Sequence, residues 1–219
     1  IQVVELHTLL MAAGQGPLQL VAPPEGRGEP SKQLSHGEIH FSIGYSEPEA
    51  GTDAANQQTL ARPTERGFRL VGQKVWVANA DAAAVAIVFA TTSPGRRAEG
   101  ITAFLVPMAS PGVTKRGVDS LGVRGLGCMN LDLDVDVTFD QVLGQVDAGF
   151  PLVLWALERG RIAVAAQALG IGDRALDEAV RHAKERHAFG RPIAQFEAVQ
   201  WMLADAPRLL KFMDSSAIS

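Results

Sequence analysis

The chain holds 219 residues, 47% hydrophobic, 20% charged and 6% aromatic, a globular composition that excludes a disordered, collagen-like or coiled-coil protein. Its 20 basic and 24 acidic residues leave a net charge of -4, so there is no basic surplus for nucleic acid or an anionic membrane, and any anionic ligand must meet local arginines. A single cysteine, Cys128, excludes an internal disulfide and points to a reducing compartment, the cytoplasm. The longest apolar runs, such as Val85 to Ala90, fall far short of the roughly 20 residues that span a bilayer. The first residues carry no signal pattern, and nothing is expected to export or anchor the chain.

In chain order, residues 5 to 13 read as a short helix, and the glycines and prolines from Gly14 onward read as a linker. Strand-like runs follow at Ile39 to Tyr45, Phe68 to Val77, Val85 to Thr91, Ile101 to Pro107 and Leu131 to Phe139, each bounded by turn formers. They predict a mostly β domain. In the last run Leu131, Leu133, Val135, Val137 and Phe139 alternate with Asp132, Asp134, Asp136, Thr138 and Asp140, which predicts a core face and a solvated face. A calcium site is not expected there, because carboxylates two apart splay along a flat strand.

From Gly149 the apolar spacing changes to steps of three and four. Leu152, Trp155, Ile162, Ala166, Leu169, Leu176, Val180 and Ala183 predict one long amphipathic helix, with Arg159 and Asp173 as polar exceptions. A second helix is expected after the FGRP turn, with Phe196, Val199, Leu203, Leu210 and Met213 on one side and a kink or stop at Pro207. Two helices make half a bundle, so their apolar stripe must pack on the β domain, on another chain, or on sequence not present.

Simple chemical signatures are weak. His36 and His40 flank Glu38 in HGEIH, but Gly37 and the following strand argue against the helix that a zinc protease needs. His182 and His187 do not share a helical face and read as surface residues. No serine sits in a nucleophile elbow, and Cys128 has no assigned histidine partner. GVRGLG at 122 to 127 enters a strand, so it reads as a flexible turn and not a phosphate loop.

Longer segments carry more together. IGYSEPEAGTD at 43 to 53, GQKVWVANA at 72 to 80, LGVRG at 121 to 125, VLGQVDAGF at 142 to 150, ALERGRIAVAAQALGIGDRALDEAV at 156 to 180 and ERHAFGRPIAQFEAVQWMLAD at 185 to 205 occur in this order. In this the chain closely resembles the acyl-CoA dehydrogenase family. The resemblance implies an α+β chain: a remnant of an N-terminal helical region and linker at 1–36, a middle β domain of antiparallel sheets or a barrel at 37–146, and the incomplete start of a C-terminal helical bundle at 147–219. It also implies FAD as cofactor and oxidation of an acyl-CoA thioester to its 2,3-enoyl product, by α proton abstraction with hydride transfer to flavin N5.

By the resemblance, Tyr45, Ser46, Gly51 and Thr52 line the turn under the flavin ring, where donors meet the charge that reduction creates. A turn-shaping role is the plainer reading of Ser46, Gly51 and Thr52. Trp76 matches the tryptophan packed on the flavin, with a core tryptophan as the alternative, and Ala78 stands where a hydroxyl usually reaches N5. Arg186 matches the arginine that grips the FAD pyrophosphate of a neighbouring subunit. Phe189, Phe196 and Glu197 fall near the adenine end, with Glu197 in place of the usual glutamine. Glu158, Arg161 and Thr52 match residues facing acyl-CoA, although Glu158 and Arg161 also make an ordinary helical ion pair.

No catalytic base is assigned. Most family members carry it late in the bundle, beyond this chain, and Gly160 occupies the alternative base position. Leu126, Cys128 and Asn130 replace the family's serine, threonine and glutamate. The expected partners are an acyl-CoA substrate, an electron-transfer flavoprotein or similar acceptor, and a homo- or hetero-oligomer sharing FAD sites, with no nucleic acid and no membrane, in the cytoplasm or, in a eukaryote, the mitochondrial matrix. The alternative is a non-catalytic dehydrogenase-like partner subunit that contributes to a neighbour's FAD site.

Overall fold

The computed structural model describes residues 39–217, without the side chains of Arg159 and of residues 212–217. The expected helix at 5–13, the linker after it, and His36, Gly37 and Glu38 lie outside the described residues. Two compact units form, one ending at Leu157 and one beginning at Glu158.

The first unit is a sheet of β1 (Phe41–Gly44), β2 (Leu60–Pro63), β3 (Gly67–Val77), β4 (Val85–Thr91), β5 (Ile101–Pro107), β6 (Val113–Gly117), β7 (Met129–Thr138) and β8 (Val142–Leu143). The strands lie in the order β6-β7-β3-β2-β4-β5-β8, with β1 also on β4. Most pairings are antiparallel as expected, but β1 and β2 both run parallel to β4, so the sheet is mixed.

All seven residues of β4 are buried because both of its faces are covered. On one face Val85, Ile87 and Phe89 join Ile101, Ala103, Leu105 and Phe41, and Val153 and Ala156 from the start of helix α1 (Phe150–Glu185) pack there too. On the other face Ala86, Val88 and Ala90 meet Phe104, Val106 and the inward residues of β3 and β7, from Phe68 and Leu70 to Leu131 and Val137. The sheet therefore curls so that its outer strands cover its middle. Strands covered on both faces read as continuous apolar runs, while half-covered ones alternate.

β4 and β5 have the predicted bounds, whereas the first strand begins at Phe41 instead of Ile39. β2 ends on a proline and β6 reads VTKRG, and neither shows the apolar pattern of a strand. Phe139 departs from the predicted core face. The strand gives way there to a 3-10 turn, Phe139–Gln141, and the ring is 58% exposed, in an edge-to-face contact with Phe68. The solvated face is a ladder of cross-strand pairs: Arg69 forks onto Asp134 at 2.7 and 2.9 Å, and Arg116 and Gln73 meet Asp132.

The glycine-rich stretch forms a turn. Residues Arg124–Leu126 form a 3-10 turn between left-handed Val123 and Gly127, pinned where the Asn79 N–H donates to the Leu126 carbonyl at 2.8 Å. Gly72 permits the close approach of β3 to the chain entering β2, since a Cβ there would lie 2.7 Å from Thr59 Cα.

In the second unit, α1 continues to Glu185, a short hairpin follows with β9 (His187–Ala188) and β10 (Arg191–Pro192), and α2 runs Glu197–Ala217. Gly172 lets the two helices meet, because a Cβ there would lie 2.6 Å from Leu210 Cδ2. Of the kink or stop expected at Pro207, the stop does not occur: α2 passes through it, since proline removes one backbone donor while the turns on either side keep theirs. Ile162, Val164, Ile171, Trp201, Met202 and Leu209 stay exposed. No helix among the described residues is long and apolar enough to cross a membrane.

Candidate functional site

Strict alternation along β3 would send Trp76 inward with Phe68, Leu70 and Lys74. The register against β7 slips instead, from Lys74 opposite Leu131 to Val77 opposite Met129, so three residues face two. This bulge turns Val77 into the core at 1% exposure and swings Trp76 out to 60%. Trp76 sits at φ 56, a left-handed conformation that a bulky residue adopts only when its surroundings hold it there. Its N–H donates to Asn130 Oδ1 at 3.1 Å.

The turn at 45–52 is fastened beside the bulge. Glu47 and Ala50 exchange backbone hydrogen bonds, and the Val75 N–H donates to the Ser46 carbonyl at 2.9 Å. Ser46 and Trp76 are thus brought together through adjacent backbone. Tyr45 is half-buried and packs against the core, and Ala78 is half-buried just past the bulge. Gly51 and Thr52 are exposed at the open end of the turn, with no atom within 4 Å of a Cβ built on Gly51. Arg97 clasps Asp53 at 2.7 and 2.9 Å as the chain leaves.

Behind the turn lies a polar node. Lys74 Nζ donates to Glu47 Oε1 at 2.6 Å and to Gln57 Oε1 at 2.8 Å, and the backbone N–H groups of Thr59 and Gln58 donate to the same carboxylate at 3.1 and 2.5 Å. The Lys74 side chain is 0% exposed and that of Glu47 2%. Burial pushes the Lys74 ammonium down to about 8 against the pull of Glu47. Burial would raise the Glu47 carboxyl, but the Lys74 charge and the donors around it outweigh that and hold it low.

The second group of predicted residues belongs to the helical unit. Phe189 and Gly190 are the two central residues of the hairpin, with φ 53 and 78, the left-handed pair that a tight hairpin turn requires. Glycine accepts this freely and phenylalanine does not, yet the Phe189 ring is 95% exposed, in an edge-to-face contact with Phe196. Arg191 lies over the Phe196 ring at 4.3 Å. Arg186 is exposed, and its carbonyl accepts from the Ile193 N–H, closing the base of the hairpin. Glu197 begins α2 and accepts from the Trp201 indole N–H, an acid placed well for a helix N-terminus.

Glu158 and Arg161 are exposed, and no ion pair joins them among the described residues; Gly160 is buried. His182 and His187 are exposed. Sequence reasoning did not single out Glu47, Gln57, Lys74 or Arg191 as site residues, and it read Asn130 only as a departure. Lys74 carried a signal nonetheless, because a lysine on the inward parity of an apolar strand requires a buried partner.

A curled mixed sheet leading into long helices, with an exposed aromatic on a strained bulge beside an open turn, defines an α+β protein. Two family models match it: "Acyl-CoA dehydrogenase, middle domain" over residues 42–135 and "Acyl-CoA dehydrogenase, C-terminal domain" over residues 147–213. Over 162 residues the chain is 43% identical to the short-chain specific acyl-CoA dehydrogenase, mitochondrial, of Homo sapiens, covering 73% of this chain and 39% of that one. The butyryl-CoA dehydrogenase structure from Megasphaera elsdenii superposes with a TM-score of 0.79 and 34% identity, covering 94% of this chain and 55% of that one. A structure described as PigA with FAD and proline superposes at 0.77 with 27% identity, covering 94% and 54%. The chain belongs to the acyl-CoA dehydrogenase family, as its motifs imply, and spans about half or less of the length of these relatives.

Proposed function

We propose that this chain carries part of the FAD and acyl-CoA sites of a dehydrogenase that oxidises an acyl-CoA thioester to its 2,3-enoyl product. The observation that carries the reading is Trp76, strained at φ 56 and 60% exposed beside the fastened Ser46 turn. The residues fit a planar tricyclic group. The indole offers an apolar face, Gly51 leaves open space, and Ser46 and Thr52 supply hydroxyls at the turn. When bound, FAD would accept the hydrogen leaving the substrate's β carbon as hydride.

Trp76, Tyr45, Ser46, Gly51 and Thr52 would hold the ring, and Ala78 supplies no hydroxyl to it. Arg186, Phe189, Phe196 and Glu197 would meet the phosphate and adenine end of a dinucleotide held by a neighbouring subunit. Arg186 supplies a planar fork for phosphate oxygens, and the Glu197 carboxylate opposes them. Thr52 in the first unit, and Glu158 and Arg161 in the second, would each face an acyl-CoA. Gly160 has no side chain to take a proton, so the chain orients and shields the reactants without moving the α proton. Electrons would pass on to an electron-transfer flavoprotein or similar acceptor.

A second reading is favoured by Phe189, whose ring is held in a strained turn yet 95% exposed. It suits a hairpin offered to another chain, and thus an oligomer whose members share FAD sites, or a non-catalytic subunit serving a neighbour. The test is to load the purified chain with FAD and add butyryl-CoA without oxygen. A shifted flavin band without bleaching is expected; bleaching would contradict the absence of a base, and no flavin uptake would contradict the site.

A further inference from the structure

Resting on the FAD reading above, we infer that the buried node of Glu47, Lys74 and Gln57 is a positioning device that sets the flavin-facing turn and the Trp76 bulge in mutual register. Three separate stretches of chain end on one carboxylate: the turn through Glu47 itself, the entry to β2 through the Gln58 and Thr59 N–H groups, and β3 through Lys74. Lys74 lies two residues before Trp76. Its neighbour Val75 donates to the carbonyl of Ser46, the residue before Glu47. The ion pair and this backbone bond therefore clamp the same two segments side by side, directly beneath the two groups that face the ring. The Lys74 stem also fills the space over Gly44, where a Cβ would lie 3.3 Å from Lys74 Cγ.

As a source of stability the node is poorly built. Two charges are taken out of water, at a cost that their attraction only partly offsets, and the buried Gln57 Nε2 donor has no partner among the described residues. An apolar cluster of equal volume would hold the sheet together as well. What an apolar cluster lacks is direction: a lysine and a carboxylate bonded at 2.6 Å favour one register between turn and strand, as a buried polar group does in some other proteins when it selects a single arrangement. Glu47 and Lys74 touch neither ring nor substrate in this scheme and act only through Ser46 and Trp76.

The test uses the full chain and the double variant Glu47→Gln, Lys74→Met. The glutamine keeps a buried acceptor for the β2 backbone, and the charges leave together, so no unpaired ion is stranded. Trp76 is read alone after Trp155→Phe and Trp201→Phe in both parent and variant, by fluorescence anisotropy and iodide quenching, while FAD affinity is read by flavin fluorescence. The expected result is an unfolding midpoint near the parent's, a more mobile and more quenchable Trp76, and FAD affinity lower by roughly tenfold, the worth of one misplaced ligand hydrogen bond. A double variant with unchanged Trp76 signals and FAD affinity within twofold of the parent would overturn the inference. A double variant that loses its cooperative unfolding would overturn it too, by making the node simply structural. If the parent itself takes up no FAD, the functional reading fails separately, and the Trp76 signals still decide whether the node positions the bulge.

Discussion

Replacing Trp76 by glycine separates a ligand platform from a core residue. A tryptophan packed into a β core costs about 3 to 5 kcal/mol to truncate. Trp76 differs on two counts. Its ring is 60% exposed, so truncation forfeits burial of only about 80 Å², or about 2 kcal/mol at 25 cal/mol per Å². Its φ of 56 is strained for any L side chain and free for glycine, which returns about 1 to 2 kcal/mol. The two effects nearly cancel, and Trp76→Gly should change stability by less than about 1 kcal/mol. Urea denaturation followed by far-ultraviolet circular dichroism measures this, and a flavin titration of the same variant should show weakened binding. A loss of more than 3 kcal/mol would refute the reasoning and return Trp76 to the core.

Gly72→Ala should destabilise the sheet by about 1 to 3 kcal/mol, because its Cβ would meet Thr59 Cα at 2.7 Å; a urea midpoint unchanged from the parent's would contradict this. Asp147 keeps its charge to lower pH than a free aspartate, mainly through the Thr92 hydroxyl, against burial and with help from Ser93 and Arg96. The stability it contributes is therefore present above the ordinary value of 3.8 and fades as pH falls through the lower folded value. Thr92→Val should cost about 1 kcal/mol at neutral pH and raise the midpoint of acid unfolding. Arg186→Lys should weaken FAD binding by roughly tenfold, since an ammonium does not reproduce a forked contact to phosphate; equal affinity by flavin fluorescence would remove Arg186 from the site.

Much of the fold was legible because burial leaves a mark on residue order. β4 and β5, covered on both faces, are unbroken apolar runs, and β7 alternates wherever one face is wet. β2 and β6 stayed hidden because their pairing comes from the neighbouring strands and not from their own side chains. Phe139 continued the alternation on paper, but the Thr138 and Gln141 cap ends the strand one residue earlier. In the candidate site, the turn and Trp76 were legible only through family resemblance. Simple parity would have buried Trp76, and the bulge that turns it out depends on the register with β7 and on Asn130, residues more than fifty positions away. Lys74 was a visible conflict, a charge at an inward position, whose resolution by Glu47 appears only once the chain is folded.

The most direct test of the flavin cradle is a titration of FAD with the purified chain, followed by flavin fluorescence and visible absorbance, with Trp76→Gly as control. A saturable change in the flavin signal that the control weakens is the predicted result. A flavin spectrum indistinguishable from free FAD at saturating protein, in parent and control alike, would contradict the account.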